Sequence, residues 1–316
     1  MARPLQKEVT MKHLFIINPA AGSRDRTQDY RAQIESACQG LDYTVEISGA
    51  PGDCAKIARQ AAETGKDYRI YACGGDGTLN EVVQGAAGFS NVAVTVFSGG
   101  SGNDFAKLFD DPKAFYSLPR LLDAEEATFD LIRCNEDYSL NICSVGLDAR
   151  IGTDVANYKR IPLLHGFRAY AVSTVINLMR GISEHYVVHI DGETVDAEQT
   201  FICACNGRFY GGGFNPVPEA DPSDGLMDVL LVKKVSLLQV PAVIGKYKNG
   251  RYKELSHLVR HVRTKRLQIL CDKPTAVNLD GELRTATTVD IRIAEEKLRF
   301  FYPKGLVWQT KLPVEA

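Results

Sequence analysis

Apolar and polar positions follow two different rhythms along the chain. In the first third, short apolar runs alternate with stretches of helical spacing. Residues 13–19 (HLFIINP) read as a strand, 27–38 as a helix, 43–48 (YTVEIS) as a strand and 53–64 as a helix begun by an Asp53 cap. Residues 69–73 (RIYAC) form a third strand, 79–87 (LNEVVQGAA) a helix, and 92–97 (VAVTVF) a β-branched run of the kind buried on both faces of a sheet. After Pro119 the period becomes two. Residues 129–134, 138–144, 186–190, 200–205, 227–233, 266–271, 275–279 and 289–293 read as strands, many joined by tight turns such as Asn135-Glu136-Asp137 and Asp191-Gly192-Glu193. Helical stretches at 167–180 and around 236–247 interrupt this half, and 298–308 is apolar and aromatic. The expected fold is α/β plus β. An N-terminal open parallel α/β nucleotide-binding domain spans 12–127, an antiparallel β domain spans 128–302, and the end of the chain, about 303–316, packs back on the first domain.

The candidate chemistry lies where the strands of the first half end. Cys73-Gly74-Gly75-Asp76-Gly77-Thr78 joins an apolar strand to a helical stretch. Its glycines let the backbone approach a ligand closely, and the amides opening the following helix present a positive dipole end to phosphate. Asp76 faces bare phosphate poorly unless a cation lies between, so the turn points to a nucleotide-phosphate site with Mg²⁺. A tight turn is the plainer explanation of GGDG taken alone. However, Asn18-Pro19-Ala20-Ala21-Gly22 and Ser98-Gly99-Gly100-Ser101-Gly102 also follow strands, and loops at the carboxyl edge of one parallel sheet converge on one ligand.

Charge and composition narrow the partners. The net charge of the 316 residues is -2, which gives no overall case for nucleic acid. No stretch has signal-peptide character or approaches the roughly 18 apolar residues of a spanning helix, so a soluble, cytoplasmic protein is expected. Eight cysteines include no C-x-x-C pair and read as reduced core residues. Between 236 and 266, Lys246, Lys248, Arg251, Lys253, Arg260, Arg263, Lys265 and Arg266 stand against the single acid Glu254. Such a cluster suits anionic lipid on the inner face of a membrane, and a solvated helical face is the plainer reading.

GGDGTLNEV at 74–82, NPAAG at 18–22, GSGNDFAK at 100–107, PEADPSDGLMDV at 218–229 and NLDGEL at 278–283 occur in this order. Together they resemble the diacylglycerol kinase catalytic-domain family in its soluble bacterial form, from about Lys12 to the end. GGDGT alone is shared with NAD kinases. The resemblance implies an α/β nucleotide domain and a β-sandwich domain with the active site in the cleft between them. It places Asn18, Pro19, Ala20, Ala21, Gly22, Ser48, Gly74, Gly75, Asp76, Gly77, Thr78, Leu79, Asn80 and Ser101 at ATP. Serine at 48 and 101 stands where the family commonly has threonine. It places Asp221, Asp224 and the Leu226 carbonyl at Mg²⁺, and Asp280 and Glu282 at the catalytic base. The implied reaction moves the γ-phosphoryl of ATP to the hydroxyl of diacylglycerol or a related lipid at the membrane surface. A NAD kinase-like enzyme with a soluble substrate and a non-catalytic lipid-binding homologue are the alternatives, and a homodimer is left open.

Overall fold

The structure is a computed structural model that describes residues 11–99, 103–151 and 183–308. The chain groups into two units. The first comprises Met1–Ser101, Lys113–Thr128 and Leu298–Leu306, and the second Gly102–Pro112, Phe129–Lys297 and Val307–Ala316.

In the first unit, β1 (Lys12–Ile17), α1 (Thr27–Ala37), β2 (Tyr43–Ile47), α2 (Asp53–Glu63), β3 (Tyr68–Gly74), α3 (Asp76–Ala86) and β4 (Val92–Ser98) alternate strictly. The strands lie in the order β4-β3-β1-β2, every neighbouring pair parallel. Crossing from β2 over β1 to β3 makes the gap between β1 and β3 the point where strand order reverses, which is where open α/β sheets bind ligands. Phe15, Ile16, Ile17, Ile70, Tyr71 and Ala72 are fully buried, which explains why β1 and β3 read as continuous apolar runs. Phe15 stacks on Tyr71 at 4.2 Å, and Phe301 meets Tyr71 edge-on at 4.9 Å.

Two expectations need correction here. The helix placed at 79–87 begins at Asp76, because its first turn, Asp-Gly-Thr, is polar and carries no apolar period. The Asp53 side chain does not cap α2: Gly52 holds the N-cap position at φ 85°, and the Asp53 carboxylate instead accepts the amides of Gly49 and Ala50 at 3.1 and 2.9 Å.

The second unit is antiparallel. A short helix, α4 (Leu118–Leu122), precedes β5 (Ala124–Cys134), whose later residues enter this unit. Then follow β6 (Asp137–Ser139), β7 (Ile142–Gly146), β8 (Glu184–Ile190), β9 (Glu193–Cys205), β10 (Met227–Lys233), α5 (Val240–Lys248), β11 (Val259–Thr264), β12 (Arg266–Leu279) and β13 (Glu282–Pro303). Strands β11-β10-β9-β7-β12-β13 are neighbours in that order, and β8 bridges β9 and β12. One apolar cluster packs Ile132, Tyr186, Val188, Ile202, Met227, Leu267, Val277 and Ile291, and a second packs Phe201, Phe214, Val232, Val243 and Tyr247. The last residues of β13 belong to the first unit, where Phe300 pairs parallel with Val94, while Trp308 meets Phe129 edge-on at 5.4 Å in the second.

The runs 266–271 and 275–279 are one strand with a register shift between Leu270 and Thr275, at Asp272-Lys273-Pro274, where proline has no amide for the ladder. The helix expected at 236–247 runs from Val240 to Lys248, and the one at 167–180 lies outside the described residues. All eight cysteines are free, seven of them buried, and burial pushes the Cys38, Cys54 and Cys271 thiols up to about 11. No described helix is long and apolar enough to cross a membrane.

Candidate active site

In the first unit the register brings the expected phosphate loops to one edge. Ile17 stands opposite Cys73 and Ile47, and Gly74 opposite Ser98, so Asn18, Ser48, Gly75 and Gly99 all follow strand ends at the carboxyl edge. Asn18 joins two of these loops. Its amide nitrogen donates to Thr78 Oγ1 at 3.2 Å and its side-chain oxygen accepts the Ala20 amide at 3.0 Å. The Gly99 amide donates to the Gly74 carbonyl at 2.9 Å, and Arg26 Nη1 donates to the Gly99 carbonyl at 2.5 Å.

Gly74 and Gly75 play different parts. A Cβ at Gly74 would stand 2.2 Å from Thr78 Oγ1 and 3.2 Å from the Ala21 methyl, so only glycine lets the two loops close. A Cβ at Gly75 meets nothing within 4 Å among the described residues. Gly75 therefore faces open space beside the amides of the first turn of α3, the geometry that suits a phosphate. Ser98 Oγ is buried without a partner among the described residues, one more polar atom at this edge suited to such a ligand.

Pro19, Ala20, Ala21 and Gly22 form the exposed or half-buried turn, and Asp76 and Gly77 open α3. Leu79 and Asn80 are buried, and the Ser48 amide donates to the Ile17 carbonyl at 2.9 Å. Ser101 lies outside the described residues. Glu81, which the sequence did not single out, accepts the Gly52 amide at 3.0 Å and so ties α3 to the start of α2.

In the second unit, Asp280-Gly281 is the hairpin turn between β12 and β13. Asp280 has φ 52° and Gly281 φ 103°, and the Gly281 amide donates to Asn278 Oδ1 at 2.8 Å. The Asp280 carboxylate gathers three backbone amides, from Leu140 at 2.6 Å and from Asn141 and Ile142 at 3.0 Å each. These contacts explain why 138–144 is not one strand: the backbone leaves the ladder between β6 and β7 to point its amides at Asp280. Burial raises the Asp280 pKa, while the amides and the Ser139 hydroxyl pull it down. Glu282, two residues on, is exposed. From the other side, the amides of Asn206 and Gly207 donate to the Asn141 carbonyl at 2.8 and 2.9 Å, and Asn206 Nδ2 donates to the carbonyls of Leu140 and Asp130.

The third group is the 221–226 turn. Asp221 Oδ1 accepts the amide and hydroxyl of Ser223, and Asp224 Oδ1 accepts the Leu226 amide at 2.9 Å. Burial raises the Asp224 pKa, and its neighbours Asp221 and Asp228 add to this against the pull of the Leu226 amide and Arg263. A surplus of carboxylate and carbonyl oxygen in one turn fits a hard cation such as Mg²⁺. Two features temper that fit. Arg263 already pairs with Asp224, and among the described residues no cluster of three or more His, Cys, Asp or Glu side chains is disposed to hold a metal. A Mg²⁺ ion held here would need the Leu226 carbonyl and water beside the two carboxylates, and would compete with Arg263 for Asp224. Asp130, also missed in the sequence, is buried beneath this turn, accepts the Gly225 amide at 2.7 Å and pairs with Lys297. A lone aspartate inside an apolar run was the available signal.

The basic stretch looks different once folded. Lys246 and Arg251 pair with Glu254, Lys253 with Glu219, Arg260 with Glu193, Arg263 with Asp224 and Arg266 with Asp290. Lys248 lies over the Phe214 ring at 5.6 Å. Four of these acids are distant in sequence, so the count against Glu254 alone overstated the free positive charge.

With this geometry in view, the comparisons with known proteins are decisive at the level of family. Residues 12–134 match the diacylglycerol kinase catalytic domain, and residues 141–302, about half of the chain, match the YegS C-terminal NAD kinase beta sandwich-like domain. The chain belongs to the family that joins a diacylglycerol kinase catalytic domain to a YegS-type NAD kinase-like β-sandwich. A Staphylococcus carnosus protein named "Putative lipid kinase" is 26% identical over 296 residues, covering 92% of this chain and 96% of the relative. A similarly named protein of Staphylococcus aureus strain MRSA252 is 27% identical over 82% of this chain and 86% of its own length. Among solved structures, a diacylglycerol kinase from Bacillus anthracis superposes with a TM-score of 0.70 at 19% identity, covering 96% of this chain and all of that one. A second Bacillus anthracis chain reaches 0.74 at 21% identity over 95% and 99%. These structures agree with the fold, an α/β domain followed by a β-sandwich.

Proposed function

We propose that this protein is an ATP-dependent lipid kinase that moves the γ-phosphoryl of ATP to the free hydroxyl of diacylglycerol or a related lipid. The observation that carries the reading is the Asn18–Thr78 hydrogen bond, which sets the 18–22 turn against the start of α3 where strand order reverses. Phosphates of ATP lie over Gly75 against the first amides of α3, held in place for an in-line attack. Mg²⁺, held by Asp221, Asp224 and the Leu226 carbonyl, supplies neutralising charge when bound.

The acceptor hydroxyl loses its proton to a carboxylate, a step worth roughly 10²–10⁴-fold. Asp280 and Glu282 divide that work in one of two ways. Asp280 has a fixed direction and a pKa raised by burial, which makes it the better-tuned base. Glu282 is exposed and free to reach a substrate while Asp280 fixes the turn beneath it. The match of the second unit to a NAD kinase-like sandwich favours one further reading, phosphorylation of a soluble dinucleotide.

The test is purified protein with γ-labelled ATP and Mg²⁺ against diacylglycerol, other hydroxylated lipids and NAD. Label in the organic phase supports the lipid kinase, label on NAD supports the alternative, and no transfer to any acceptor argues for a non-catalytic homologue.

A further inference from the structure

Residues 233–248, KKVSLLQVPAVIGKYK, carry Lys233, Lys234, Lys246 and Lys248 and no acid. Val235, Val240, Val243 and Tyr247 are buried and seat the segment in its own unit. Between them, Leu237 is 59% exposed and Leu238 93% exposed. The turn that lifts them is closed: Gln239 Oε1 accepts both the amide and the hydroxyl of Ser236 at 2.9 Å, and the Gln239 amide donates to the Ser236 carbonyl at 3.0 Å.

From Leu238 the outward positions continue at helical spacing through Pro241, Ala242 and Gly245, all exposed, to Lys248. A surface helix ordinarily turns charge to solvent, and this one presents an uncharged stripe bounded by lysines. Among the described residues, Lys233 and Lys248 have no carboxylate partner.

We propose that the Ser236–Gln239 turn and the outer face of α5 dock the protein on an anionic lipid bilayer, with Leu237 and Leu238 entering the boundary between headgroups and acyl chains. The inference deepens the lipid-kinase reading, since an acceptor dissolved in a bilayer has to be met at its surface. Lys234 pairs with Glu198 and Lys246 with Glu254, so Lys233 and Lys248 supply the attraction to headgroups while the two leucines supply the apolar area to bury, the two things an interfacial element requires. A second copy of the chain is the poorer occupant, because a twofold contact would set these lysines against each other.

The full-length protein is tested by sedimentation with phosphatidylcholine vesicles with and without phosphatidylglycerol, with neither ATP nor acceptor present. Wild type binds the anionic vesicles, and Leu237→Ser/Leu238→Ser weakens binding by about tenfold or more. Lys233→Glu weakens it as well. Leu238→Trp leaves the fold intact and shows blue-shifted emission on vesicles. Activity of the double variant toward a short-chain acceptor dispersed in detergent stays within about twofold of wild type, because none of these residues belongs to the transfer machinery. Wild type that ignores anionic vesicles, unchanged binding by the double variant, or a variant that loses self-association in place of vesicle binding would overturn the proposal. Vesicle binding is read without turnover, so it decides the docking surface even if no lipid proves to be the acceptor.

Discussion

A methyl group at Gly74 and one at Gly75 are predicted to do different damage. At Gly74 it strikes Thr78 Oγ1 at 2.2 Å, so Gly74→Ala lowers stability by about 1–3 kcal/mol along with activity, as overpacking does. At Gly75 it meets no atom of the described residues, so Gly75→Ala melts within a few degrees of wild type yet loses at least about a hundredfold in kcat/KM. Asp280→Asn is less isosteric than it looks. Asparagine tolerates φ 52°, but its NH₂ would face the amides of Leu140, Asn141 or Ile142, which leaves a donor against a donor. A loss of about 1–3 kcal/mol is expected beside the loss of turnover, so denaturation must be measured with the kinetics. Glu282→Gln, on an exposed side chain, is the cleaner probe: severe loss of kcat at unchanged stability. Asp191-Gly192 has a similar turn geometry, at φ 50° and 79°, and among the described residues Asp191 accepts the Thr264 hydroxyl at 2.6 Å, so Asp191→Asn stays within a few-fold of wild type. The Asp280 pKa is raised by burial, so between its ordinary and its raised value the folded state holds more proton than the unfolded. Its contribution to stability therefore grows as pH falls through the raised value and levels off below about 4. The same protonation removes a base, so kcat/KM falls on the acid side at a pH above the ordinary carboxylate range. A denaturation midpoint with the same pH slope in Asp280→Asn as in wild type would contradict this assignment.

At the scale of elements, the interrupted strand between β6 and β7 shows where sequence periodicity stops informing. The run 138–144 alternates as one strand should, and only Asp280, about 140 residues later, turns its middle amides aside. Strand ends behave differently: the parallel register at Ile17, Cys73, Ile47 and Ser98 follows from apolar runs that stop at glycine, proline or serine, and those stops were visible in the sequence. The polar first turn of α3 and the back-facing carboxylate of Asp53 were not visible, because hydrophobic spacing carries no information about caps. The partners of the basic stretch were hidden for the same physical reason as the strand break, since Glu193, Glu219, Asp224 and Asp290 come from other elements. Asp130 holds the 221–226 turn to β5 through the Gly225 amide while paired with Lys297. Lys297→Ala leaves that buried carboxylate short of a donor, so a loss of about 1–3 kcal/mol in chemical denaturation is predicted. An unchanged midpoint would show that the pair is structurally idle.

For the whole molecule, a net charge of -2 provides no long-range field to gather the protein on an anionic surface, so any membrane contact has to be local and short-ranged. The proposed lipid-kinase reading assigns the phosphate-binding glycines to the first unit, and the acids and the proposed docking turn to the second. The claim that joins them is that both sets serve one transfer to a lipid hydroxyl. Its most direct measurement is transfer of label from γ-labelled ATP to diacylglycerol, extracted into an organic phase, by wild type, Gly75→Ala and Glu282→Gln side by side at matched stability. Wild type is expected to yield labelled lipid, and either variant at least about a hundredfold less. Labelled lipid at wild-type rates from both folded variants, or label only on a water-soluble acceptor, would contradict that claim.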